Sequence, residues 1–367
     1  MACRRPKSSR RGLRSLGSPS CAATVALGWA LCLGVSAACA VADDSAAVGS
    51  VSVRTVGDAS TGLIDLALAP NGQRLYGLSA DGMTVVSIDC GRDATGVARV
   101  VVTGESPDGP GRRIGCIDSS VVAVLRASPT PVITTHRIPA APESADAAEP
   151  LQRVVVTDAE AADASVQLSA CLTVSHTRNW LALTAFSGTT PAVLRAAVAG
   201  VRVGSFSTRH SPELAGFATV SAASVSPADE LVLFTNAVRE DRREQGSLPA
   251  TDWLAMYATP VGWELLQLDT GLRDIRDACF TKGSGRLWVI TGSVASVDPP
   301  QPAGLWRLDA ALRNRRQAID AVLVQALDAP SGLAAGTDEV LYAVVDEGRR
   351  VIEIRPSTGK AAGSGRP

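Results

Sequence analysis

Lysine is almost missing from this chain. Lys7, Lys282 and Lys360 are the only three, and arginine carries nearly all the positive charge. Aromatic residues make up 4%, and the formal net charge is -1. With no basic stripe, a nucleic-acid partner is excluded. No two cysteines stand at C-x-x-C spacing, which excludes a paired zinc site. No G-x-S-x-G elbow, G-x-G-x-x-G turn or phosphate-cradling P-loop occurs, so serine hydrolase, dinucleotide and nucleotide chemistry lack their usual carriers. The three histidines, His136, His176 and His210, stand singly, with no second histidine at ligand spacing. Each is expected in a turn or strand end, solvated or hydrogen-bonded.

What is present begins with an export segment. Arg4, Arg5, Lys7, Arg10, Arg11 and Arg14 form a basic stretch without an acid, and residues 21–42 follow with no charge at all. Ala40-Val41-Ala42 before Asp43 fits the small-x-small rule for signal cleavage. The apolar run is also near the ~20 residues that span a bilayer, so residues 1–42 read as a signal peptide or as a signal anchor. The basic flank would stay on the cytoplasmic side, and the rest of the chain would be secreted or extracytoplasmic. Any membrane contact would come through residues 21–42 alone. A lipoprotein at Cys39 would have Ser36 where an aliphatic residue is usual, and Ser9-Arg10-Arg11 only loosely suggests a twin-arginine signal. Removing the segment takes away six positive charges and leaves a formal charge of -7.

The remainder repeats. "ALAPNGQRLYGLS" from Ala67 returns as "CIDSSVVAVLRAS" from Cys116 and "CLTVSHTRNWLALT" from Cys171. It returns again as "SVSPADELVLFTN" from Ser224, "CFTKGSGRLWVIT" from Cys279 and "AAGTDEVLYAVVD" from Ala334. The intervals are 49, 55, 53, 55 and 55 residues. Each copy has a small residue, a polar turn and an apolar strand, with room for two strands more. Short strands at a period near fifty predict an all-β, six-bladed β-propeller over residues 43–356, with 357–367 as a flexible tail. The column Ala67, Cys116, Cys171, Ser224, Cys279 and Ala334 is uniformly small, as crowding round a propeller axis requires. The last repeat lacks a fourth strand. Ser50–Val56 supplies one, so the ring is expected to close by an amino-terminal strand beside Val351–Arg355.

"PNGQRLYGLSADGMTVVSID", with the later "VTGESPDG" and "DEVLYAVVDEGRRVIEI", resembles repeats of the NHL and YVTN propeller families. The likeness covers the first and last repeats. It implies a propeller, often extracytoplasmic, with diverse roles.

Candidate chemistry is sparse. Cys90, Cys116, Cys171 and Cys279 lie outside the export segment. Three of them in one column should sit too far apart for bridges, which predicts buried thiols and leaves Cys90 open to a bridge. Asp65 and Asp277 each precede the column by two residues. With Asp118 they are the candidate calcium ligands, as in propeller hydrolases of the gluconolactonase and paraoxonase kind. Hydrogen bonds to turn amides are the alternative. Ala141–Pro150 and Arg239–Gln245 read as surface loops. The sequence therefore points to a binding or scaffold module for a protein or small ligand, with no cofactor required. The alternative is a calcium-dependent lactone or ester hydrolase.

Overall fold

The computed structural model describes residues 51–59, 62–91, 98–102, 106–126, 130–139, 148–157, 166–187, 190–210, 217–238, 253–257, 265–309, 316–337 and 339–356. All lie in one unit, Ala47–Pro367. The export segment, the Arg239–Gln245 loop, residues 141–147 and the 357–367 tail fall outside the described residues. The described residues form 25 strands, and no helix among them is long and apolar enough to cross a membrane.

The strands make six sheets. β1 (Val51–Asp58) precedes the first blade, which is β2 (Leu63–Leu68), β3 (Arg74–Ser79), β4 (Val85–Asp89) and β5 (Arg99–Val102). The second is β6 (Gly111–Asp118), β7 (Val121–Arg126), β8 (Val132–Arg137) and β9 (Glu149–Val155). The third is β10 (Val166–Val174), β11 (Trp180–Ser187), β12 (Thr190–Ala199) and β13 (Arg202–His210). The fourth is β14 (Phe217–Val225), β15 (Leu231–Val238), β16 (Trp253–Tyr257) and β17 (Leu265–Asp269). The fifth holds β18 (Ile275–Phe280), β19 (Leu287–Thr291), β20 (Gly304–Asp309) and β22 (Asp320–Ala326). The sixth holds β23 (Gly332–Ala335), β24 (Leu341–Val345), β25 (Arg350–Pro356) and β1. The first strands neighbour one another in order, and β23 returns to β2, so the sheets form a ring. This is a β-propeller.

Closure follows from the missing strand. β1 pairs antiparallel with β25 from Val51↔Pro356 to Asp58↔Arg350, with a register shift between Thr55 and Gly57. The two-residue period puts Val56 in the core shared with the first blade and Val51 against the core shared with the fifth. Val53 is 45% exposed, because an outermost strand reaches the rim. Arg54 on this strand meets the buried Glu353 at 2.7 Å.

The cores lie between blades. Each of six apolar clusters joins one blade to the next. Second strands are covered on both faces, so they are continuously apolar where an outer strand would alternate. "VVAVLR" in β7 and "LYAVV" in β24 are buried at every residue.

Two details differ from the repeat reading. β21 (Arg316–Ala318), within the fifth repeat, crosses over and pairs in parallel with β17, giving the fourth blade a fifth strand. Glu149 and Pro150, expected in a surface loop, begin the outer strand β9, where the edge tolerates proline.

Candidate functional site

Each first strand runs along the central channel and ends in a turn closed by a backbone bond. Five of these bonds match: Ala69 to Arg74, Ser175 to Trp180, Ser226 to Glu230, Thr281 to Arg286 and Gly336 to Val340. Two residues before the donors stand Ala67, Thr173, Ser224, Cys279 and Ala334. They pair across the ladder with Tyr76, Ala182, Val232, Trp288 and Tyr342. Cys171 is not in this column; it lies two residues earlier, and Thr173 takes the place. Cys116 is displaced as well. A register shift between Cys116 and Asp118 turns the strand, so that Cys116 packs back against the first blade. Gly115 faces forward instead, where an added Cβ would lie 2.9 Å from Val174 of the third blade. Counting residues between repeat phrases cannot register a bulge.

The layer two residues earlier contains the chemistry: Asp65, Arg113, Cys171, Ala222, Asp277 and Gly332, one from each blade in order. Asp65 Oδ1 accepts from the Leu66 amide at 3.0 Å and Oδ2 from the Ile114 amide of the second blade at 2.8 Å. Asp277 repeats the arrangement one blade before the ring closes. Its Oδ1 accepts from the Ala278 amide at 2.8 Å and its Oδ2 from the Leu333 amide of the sixth blade at 2.7 Å. Each carboxylate therefore joins two blades at the axis. Between them stands Gly332, where a Cβ would come within 3.1 Å of the Asp65 Cα.

Burial raises the pKa of both acids, and Asp277 is pushed up to about 7 by burial and then by the Asp65 charge. The Arg113 guanidinium opposes both shifts. The pair plus Arg113 is neutral while one proton is kept and negative when it is lost. Burial pushes the Cys171 thiol up to about 12, so it is a small packing group, with its Sγ 3.8 Å from the Val220 carbonyl. All four described cysteines, Cys90 included, are buried free thiols.

Asp118 does not join the other two acids. It is exposed at the end of β6, and its carboxylate accepts from the Ser119 amide in the turn. Among the described residues no group of three His, Cys, Asp or Glu could hold a metal. Each oxygen of Asp65 and Asp277 already accepts an amide, and Arg113 supplies positive charge there. This donor set does not fit calcium, which takes six to eight oxygen ligands.

The opposite end carries two groups that motif reasoning missed. His176 and Arg178, in the turn between β10 and β11, line the same channel cavity as Asp65 and Asp277, of about 160 Å³. Arg178 has φ +59°, a conformation that favours glycine or asparagine. Its Nη1 donates to the Cys116 carbonyl. Burial lowers the pKa of both His176 and Arg178. The only available signal was an arginine in the turn "SHTRN". His136 is next to the last residue of strand β8 and hydrogen-bonded, as expected of it; it is buried, with Nε2 3.0 Å from Thr134 Oγ1 and a pKa lowered to about 4 by burial and then by Arg126. The His210 side chain is outside the description.

No family model matches the chain, and no curated protein matches it, so the NHL and YVTN likeness rests on the repeat phrases alone. Solved structures do match. A PQQ-bound aldose sugar dehydrogenase from Streptomyces coelicolor is 16% identical, with TM-score 0.54, over 84% of this chain and 98% of that one. The gluconolactonase XC5397 from Xanthomonas campestris is 13% identical, with TM-score 0.51, over 84% and 91%. A luciferin-regenerating enzyme is 11% identical, with TM-score 0.53, over 84% and 96%. At these identities the likeness establishes what the sheets already show: a β-propeller fold.

Proposed function

We propose that the chain is an exported binding module whose channel holds a small polar ligand. One observation carries this reading: a cavity on the axis is lined by the buried Asp65 and the half-buried Asp277 and by His176 and Arg178. Convergent polar groups in a concave site are the usual marks of a ligand pocket. Among the described residues the rim offers less to a protein partner, since the exposed large apolar residues there, Val53, Val100 and Val155, lie on three different outer strands. A thermal-shift panel of small polar molecules tests the reading, with Thr173→Leu to fill the channel. Ligands should stabilise the wild type and not the folded Thr173→Leu protein. Equal stabilisation of both would place binding elsewhere.

A second reading is supported by Asp277. A carboxylate held near neutral pH suits a general base. The gluconolactonase likeness in fold is compatible with lactone or ester hydrolysis. Since the acids do not form a calcium seat, such activity should survive chelation and be lost in Asp277→Asn. Hydrolysis that requires added calcium would refute this form of it.

A further inference from the structure

We infer that the channel ligand is a small monoanion, seated with its anionic group at Arg178 and its hydrogen-bond donors toward Asp65 and Asp277. This rests on the channel reading above and names the class of ligand.

Arg178 is the starting point. A guanidinium has five donors and no acceptor. Among the described residues, Arg178 makes one hydrogen bond, to the Cys116 carbonyl, and no ion pair. Asp118 acts on it only through space. A half-buried charge with one neutral partner is costly in a fold. Here the backbone also adopts φ +59° at the residue that carries it, a left-handed conformation that disfavours any residue with a Cβ. A bound carboxylate or phosphate would engage two of the unused donors in the bidentate manner that arginine favours. His176 stands beside it in the lining, held to the Val225 backbone, and Lys282 adds positive charge nearby. Asp229 partly offsets them, though one of its oxygens accepts from Thr177 Oγ1 at 2.7 Å.

The acid layer sets the orientation. Each oxygen of Asp65 and Asp277 accepts one amide and has a second lone pair left for a ligand hydroxyl or ammonium. When its proton is lost the same layer is negative and repels an anion. The bond to Cys116 places the Arg178 guanidinium three residues of strand from the Arg113 layer, roughly 10 Å. Two hydrogen bonds of about 2.8 Å leave about 4–5 Å between them, the length of a chain of four or five atoms. The cavity volume agrees: about 160 Å³ is close to the ~150 Å³ that holds a benzene.

Glycerate, propionate and glycerol separate the two ends by titration calorimetry of the purified protein. Glycerate has the anion and the donors; each of the others lacks one. Glycerate should bind about tenfold or more tightly than either, the worth of one charge-assisted contact. Arg178→Gln should weaken glycerate by a similar factor and leave glycerol unchanged, while Arg178→Lys keeps part of the affinity. Circular dichroism and melting confirm that the variants are folded. Equal affinity for glycerate and glycerol, or an Arg178→Gln protein that binds glycerate normally, overturns the inference. If glycerate fails but a neutral molecule binds in a way that Thr173→Leu abolishes, the anion falls and the channel reading stands. If nothing binds in that Thr173-dependent way, both fall.

Discussion

The two ends of the channel hold opposite charges in opposite ways. At the acid end, every described oxygen of Asp65 and Asp277 has a backbone amide, and two of those amides belong to the next blade. At the basic end, Arg178 has one carbonyl and no carboxylate among the described residues. The acids have their partners within the fold and hold blades together. The arginine has donors left over for something that the fold does not supply. Charge in a channel is therefore poor information until its partners are counted.

The most severe way to break this comparison is to open the ring. Removing residues 43–58 deletes β1 and leaves β25 as an open edge. Backbone bonds at about 0.5–1.5 kcal/mol each, with Val56 at about 1.5–3 kcal/mol, make a loss of several kcal/mol. Urea unfolding should show that loss, with edge-to-edge aggregation. A variant that melts like the parent would mean that β1 contributes nothing to closure.

Asp65→Ala and Asp277→Ala come next. Each strands two amides, in part across a blade junction, and should destabilise by about 2–4 kcal/mol in chemical denaturation. A change below about 0.5 kcal/mol would show that water satisfies those amides and that the carboxylates join nothing.

The pH dependence is smaller and has a definite sign. The folded pKa of Asp277 lies above its unfolded value, so its contribution is fully present at about pH 4 and is lost as pH rises toward 7. Glu353 acts the other way. Burial pushes its pKa up, but Arg54 and Arg355 hold it below the usual value, so its contribution is lost as pH falls. The difference between wild type and Asp277→Asn isolates the first group. From pH 4 to 7 the wild type should lose more stability than the variant, and parallel curves would remove the raised carboxyl from the account.

The smallest effect on stability should come from Arg178→Gln. Replacing this half-buried charge relieves its desolvation cost but also removes its one charge-assisted hydrogen bond, of about 1.5–3 kcal/mol, so the two offset and the unfolding free energy should change by less than about 1 kcal/mol in either direction. A loss comparable to Asp65→Ala would make Arg178 another structural tie and erase the contrast between the two ends.

Asp65 and Asp277 are legible because each stands two residues before a small anchor, and the register shift in its strand comes before the acid rather than between the acid and the turn. Arg113 belongs to the same layer and is not. The shift between Cys116 and Asp118 hides it from any count of residues. Cys171 falls outside the column because the third turn is offset by two residues from the phrase that marks it. Asp118, the third acid of the candidate calcium set, lies beyond the bulge, in the turn at the other end of the strand.

The all-β class, the six repeats, four of the six small residues at the axis and the strand that closes the ring can be read in the sequence. These follow from local period, turn residues and the count of strands per repeat, which a linear pattern records. Which side chains meet is settled by packing alone. Whether a carboxylate faces a metal, an arginine or a neighbouring blade's amide depends on register and bulges. A one-residue shift turns every side chain to the other face of its strand while hardly changing the pattern.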